Sequence, residues 1–142
     1  MIERNIHQRL QEYLDCYVDA DLEDELHKLL SGVREPVERE DETEAALKTI
    51  AIAVLAGIER RAERISLLEG RISLVGAEWG LLATFPPHLL KASMDLVGQI
   101  SGVGDGKKEG RISLGLRGGE VALSVERREE EGAGLVMGLP SF

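Results

Sequence analysis

The sequence predicts an α+β fold: one antiparallel sheet of about five strands with helices packed on it, preceded by N-terminal helices. Three observations carry that prediction. Residues 111–128, RISLGLR-GG-EVALSVERR, are two alternating runs joined by Gly118-Gly119, the pattern of a tight β-hairpin. Residues 45–58, AALKTIAIAVLAGI, are apolar almost all round, as a helix buried on most sides must be. The other alternating runs are joined by connections too short for parallel crossovers, which leaves antiparallel meanders.

The elements follow in chain order. Over residues 3–17, Ile6, Leu10, Tyr13, Leu14 and Tyr17 share one helical face. A second short helix runs near residues 22–30, with Leu22, Leu26, Leu29 and Leu30 on one side, Asp21 as its cap and Gly32 just past its end. Residues 33–42, VREPVEREDE, are charged, contain Pro36 and have no period, so they read as a linker or mobile loop. Asp41 and Glu44 stand at capping-box spacing and open the apolar helix, which ends in ERRAER. Residues 71–75 and 81–85 are strands about the turn GAEWG. Pro86-Pro87 stops the second and starts a helix over 88–100, with Leu90, Met94, Val97 and Ile100 on one face. After the glycine-rich loop 101–110 come the central hairpin and a last strand over 135–139. Three segments result: a helical extension (1–32), an acidic linker (33–43) and the α+β domain (44–142).

In the central hairpin, a turn at Gly118-Gly119 pairs Leu116 with Val121, Leu114 with Leu123 and Ile112 with Val125 on the apolar face. The other face then pairs Arg117 with Glu120 and Arg111 with Glu126. A repeat also stands out. EGRISL occurs at 69–74 and 109–114, and RISL again at 64–67. Two copies are too few for a solenoid, and Arg-Ile-Ser-Leu is in itself a good half-buried strand. Residues 65–68 remain open between two states. They form a hairpin strand matching Leu67 with Ile72 and Ile65 with Leu74, or they finish the preceding helix.

The net charge of −9 lies wholly in residues 1–44, which hold 14 acidic and 5 basic side chains. An acidic field repels phosphate backbones, so nucleic acid is not the expected partner. Neither a membrane-spanning stretch nor a secretory signal is visible, and Cys16 is the single cysteine, so the expected setting is the cytoplasm.

Known chemistries fit the residues poorly. The loop 102–108, GVGDGKK, has neither the Walker nor the dinucleotide glycine spacing and runs from helix to strand, the reverse of a phosphate cradle. A histidine-kinase-type ATP site needs an asparagine on the helix before it, and no asparagine follows Asn5. His7, His27 and His88 lie far apart, and with Cys16 alone a zinc site is not expected. Asp19, Asp21 and Glu23 mimic the start of a calcium loop but lack its glycine and its last glutamate. Cys16, beside the apolar stripe, reads as a packing residue, and Ser66, Ser73 and Ser113 as outward strand positions. Lys107, Lys108 and Arg111 form a small basic patch read as a solvated loop. Trp79, between glycines in a tight turn, is the candidate partner-binding residue, against the alternative that it folds over the core edge. No catalytic constellation, cofactor site or metal site is recognisable, so the chain reads as a non-enzymatic, homodimeric protein-binding module. The alternative is a small-molecule-sensing or catalytic domain whose site is built from dispersed residues.

From residue 45 to 139, the order ISLVGAEWGLLATF, helix, EGRISLGLRGGEVALSVERREEEGAGLVMGL resembles the roadblock/dynein-light-chain domain. That family has two strands about a turn, a long helix and a three-stranded meander. The resemblance implies a non-catalytic homodimer that binds small GTPases or serves as a scaffold. It carries no site residue over, and the further helix that usually closes the family has no counterpart after residue 139. The order is also similar to that of type III secretion chaperones, which would imply a binder of extended client segments.

Overall fold

The computed structural model describes residues 2–32, 39–68, 71–76, 80–103, 108–116, 119–128 and 134–139. It is an α+β fold with helices packed on an antiparallel sheet, as the sequence predicts. The elements are α1 (Ile2–Tyr17), α2 (Leu22–Gly32), α3 (Arg39–Glu59), β1 (Arg64–Leu68), β2 (Arg71–Val75), β3 (Gly80–Thr84), α4 (Pro87–Ser101), β4 (Glu109–Leu116), β5 (Gly119–Arg128) and β6 (Gly134–Gly138). The sheet has six strands in the order β3-β2-β1-β6-β5-β4. Two three-stranded meanders are therefore stitched together by β1 and β6 at the centre, and α4 joins the meanders.

Residues 65–68 are strand. β1 pairs with β2 as Leu67↔Ile72 and Ile65↔Leu74, the hairpin register left open above. All three RISL segments behave alike. Ile65, Leu67, Ile72, Leu74, Ile112 and Leu114 are at most 2% exposed, while Arg64, Arg71 and Arg111 face outward. The two EGRISL copies are not equivalent in the sheet, since one contributes to β2 inside it and the other to β4 at its edge.

The central hairpin keeps its predicted faces but not its register. The pairs are Ile112↔Leu123, Leu114↔Val121, Arg111↔Ser124 and Leu116↔Gly119, so the two residues between the strands are 117 and 118, not Gly118-Gly119. A slip of two residues leaves every side chain on its own face, so alternation does not detect it. Packing distinguishes the registers. Gly110, not Ile112, stands opposite Val125. A Cβ on Gly110 would lie 2.4 Å from the Ser101 carbonyl oxygen and 2.9 Å from Val103 Cγ2, so that slot is filled from the end of α4. Arg111 therefore stands opposite Ser124, not the expected Glu126, and Glu120 opposite Gly115, while the expected partner Arg117 lies outside the described residues; a surface pair of about 0.2–1 kcal/mol does not outweigh such packing.

α3 is the hub of the helical layer. From Ala46 to Val54 every residue except Lys48 is at most 1% exposed. It meets α1, α2, α4 and β1, which explains why its composition is apolar on all sides. Thr49, an expected polar break, is buried with its hydroxyl donating to the Ala45 carbonyl at 2.8 Å. α3 also begins earlier than expected, at Arg39, so Asp41 lies within the helix and not at the N-cap position predicted for it. Glu44 is engaged elsewhere: its carboxylate accepts the Tyr13 hydroxyl and pairs with Arg9, both from α1. Residues 39–42 are thus helix, and the rest of the predicted linker, residues 33–38, lies outside the described residues.

The remaining helices hold to their sequence signals. Asp21 caps α2, accepting the Asp24 N–H at 3.2 Å, though the helix runs on through Gly32. Pro87 is the first residue of α4, as predicted, and Gly102 ends it at φ 87°, a left-handed conformation that glycine adopts without strain. The buried face of α4 is rotated from the predicted one: Leu89, Leu90, Ser93, Leu96 and Val97 are buried, and Met94 and Ile100 half-buried. Ser93 is admissible there because its hydroxyl donates to the Leu89 carbonyl at 2.8 Å. Among the described residues, no helix is long and apolar enough to cross a membrane.

Candidate functional site

The two edges of the sheet are built differently. β4 forms one edge, and Ser113 and Gly115, two residues apart, offer their backbone groups to α1. His7 Nε2 lies 2.8 Å from the Ser113 carbonyl. The Gln11 side-chain amide makes a two-point contact: Nε2 donates to the Gly115 carbonyl at 2.8 Å, and the Gly115 N–H donates to Oε1 at 2.6 Å. The glutamine amide thus stands in for a neighbouring strand. Leu10 and Leu14, both fully buried, hold α1 in that position. β3 forms the other edge and carries no strand on its outer side among the described residues. Its segment Gly80–Thr84 has no charge and no proline, the usual deterrents to strand addition. It also has one residue more than β2 between paired positions, since Ile72 pairs with Ala83 and Ser73 with Leu81, leaving Leu82 as the bulge.

A second feature lies on the helical side. A cleft of about 690 Å³ opens between α2 and the last turns of α3. Leu26, Ile52 and Ala56 form its floor, and Leu22 and Leu30, half-buried, its walls. Ala20 and Ala56 are short side chains, so the helices leave a gap that larger residues would close. Asp21, Glu23, His27, Glu59 and Arg60 stand around its mouth, where Arg60 Nη2 and Glu23 Oε1 are 3.6 Å apart. Nearby, Tyr13 and Tyr17 stack with ring centroids 6.1 Å apart, and the Lys48 ammonium sits 5.8 Å from the Tyr13 ring centre. Burial, and then the Glu25 carboxylate, push the Tyr17 hydroxyl above its ordinary pKa, with smaller contributions from Cys16 and Tyr13.

Of the residues singled out from sequence, Asp21, Glu23 and His27 meet at the mouth of the cleft, and the others among the described residues do not converge. Trp79 and Lys107 lie outside the described residues, and Lys108 and Arg111 are both exposed. His7 serves the β4 edge, His27 borders the cleft, and His88 is in the first turn of α4 with Nε2 buried and without a hydrogen-bond partner. Cys16 is exposed, not packed as expected, because the buried face of α1 runs through Ile6, Leu10 and Leu14 and leaves position 16 turned to solvent. Ser66, Ser73 and Ser113 sit on the sheet face away from the helices, yet Ser73 is only 8% exposed. Among the described residues, no three His, Cys, Asp or Glu side chains are grouped as metal ligands. No protein-family model matches the chain, and no curated protein matches its sequence.

The cleft and the edge clamp were not recognised from sequence. The cleft's signal was present as Leu22, Leu26 and Leu30, but a leucine lining a trough and a leucine filling a core have the same helical spacing. Gln11 carried no signal at all, since a glutamine on a half-exposed helix face is ordinary.

Proposed function

We propose that the chain is a non-enzymatic protein-interaction module that works as a cytoplasmic homodimer, in the manner of roadblock-like regulators or scaffolds of small GTPases. The observation that carries this reading is the contrast between the sheet edges. β4 is capped from within the chain by Gln11 and His7, whereas β3 carries no strand on its outer side among the described residues and has neither charge nor proline. A second copy pairing β3 with β3 about a two-fold axis would cover it and extend the sheet across both protomers. The order of elements from α3 to β6 follows the family comparison, with β2 and β3 as the two strands about a turn and β1 as one strand more than the family pattern has before the long helix. Trp79, which precedes β3 in the sequence, is the candidate anchor for a partner.

Light scattering on the eluting peak of the full chain tests the reading. At micromolar concentration the mass should be twice the 15.5 kDa protomer, and Leu82→Lys, which puts a charge into the β3 bulge, should halve it. A monomeric wild-type chain overturns the dimer. For the partner, a panel of purified small GTPases should be retained by the immobilised chain and lost with Trp79→Ala. Retention by none of them removes the GTPase role.

A further inference from the structure

We infer that the cleft between α2 and the end of α3 receives a basic amphipathic helix from a partner protein, a proposal that rests on reading the chain as a protein-interaction module. The cleft's apolar side chains recur at helical spacing. Leu22, Leu26 and Leu30 stand four apart along α2, and Ile52 and Ala56 four apart along α3. Two such rows leave a trough whose period matches the i, i+4 ridge of a third helix. From Leu22 to Leu30 the row is about 12 Å long at about 1.5 Å per residue, room for two turns of an occupant. Ala20 and Ala56 let that helix approach closely. Two helices and a turn line the trough, and among the described residues no further element closes it, which suits a helix laid along it better than a small molecule enclosed in it.

Charge selects the occupant. The mouth carries Asp21, Glu23 and Glu59 against Arg60, which already faces Glu23. The chain's whole excess of negative charge belongs to residues 1–44, the part of the sequence that contains α2. Lysines or arginines flanking an apolar stripe would meet these carboxylates, while an acidic helix of the same shape would be repelled.

The probe is a fluorescein-labelled Leu/Lys amphipathic peptide of about 18 residues, long enough to form a stable helix once bound. Its Leu/Glu counterpart is the control, and both are titrated with the full chain at physiological salt. The Leu/Lys peptide should bind and the Leu/Glu peptide should not. Leu22→Glu, which sets a charge on the cleft wall, should weaken binding about tenfold, the worth of one buried aliphatic contact. Glu59→Lys, at an exposed position, leaves the fold intact and should weaken binding about threefold through charge alone. Equal binding to wild type and to Glu59→Lys and Leu22→Glu overturns the proposal, because it would mean general attraction to an acidic surface. Equal binding of the two peptides, or of neither, overturns it as well. Light scattering on the same samples separates the two readings. A dimer that ignores the peptide sinks the cleft alone, and a monomer that binds it there sinks the dimer alone.

Discussion

Replacing Gln11 isolates the device that closes the β4 edge. Gln11→Ala removes a donor 2.8 Å from the Gly115 carbonyl and an acceptor 2.6 Å from the Gly115 N–H. Each such bond contributes about 0.5–1.5 kcal/mol net. Both are exposed, so water replaces part of what is lost, and the pair should cost about 1 kcal/mol, or a fall of about 3–5 °C in Tm for a domain of this size. Gln11→Glu is the sharper variant despite its similar shape. Its carboxylate still accepts the Gly115 N–H but sets a negative oxygen against the Gly115 carbonyl. It also loses the Gln11 donation to Asp15 Oδ1 at 3.1 Å and puts like charges at i, i+4, for about 0.2–0.5 kcal/mol more. Stability should therefore rank wild type, then Ala, then Glu, read as urea midpoints with unchanged m-values. Amide exchange at Gly115 should accelerate in both variants while exchange within the fully buried strands does not. A glutamate variant more stable than the alanine one, or unchanged exchange at Gly115, would refute the view that this amide acts as a surrogate strand.

Two further outcomes follow from the packing and the charges. Gly110→Ala should cost about 1–3 kcal/mol, because its Cβ meets the backbone carbonyl of Ser101 at 2.4 Å. Gly138→Ala should stay within about 0.5 kcal/mol, since the atom in its way, also at 2.4 Å, is the rotatable Oγ of exposed Ser124; equal losses in thermal melts would contradict the register. Tyr17 gives a pH signature. Its folded pKa is raised, so its contribution is complete below the ordinary value near 10 and is lost as pH rises through the folded value. As pH rises above the ordinary tyrosine value near 10, the wild-type melting temperature should fall more steeply than that of Tyr17→Phe, and parallel curves would remove burial and Glu25 as the cause.

The elements themselves were legible because each depends on neighbours in sequence. Alternation in RISL marked two strands and left the third copy, residues 64–67, open between strand and helix; paired prolines ended β3 and began α4, and a run of small and branched apolar residues announced a helix surrounded on every side. The face each strand buries was equally local. The candidate sites were not, because Gln11 meets Gly115 from 104 residues away and the cleft exists only where α2 fails to close over α3.

What the amino-acid order determined, then, was the class of fold, the number and kind of elements within one strand, and which face each strand turns to the helices. The tertiary structure decided the sliding of β4 against β5 by two residues, the meeting of β1 with β6 at the centre, and the early start of α3. The physical reason is the same in each case. Alternation and helical period repeat along the chain, so a shift by one full period costs nothing locally, and only contacts from distant residues (Ser101 and Val103 against Gly110, Tyr13 and Arg9 against Glu44) select one arrangement.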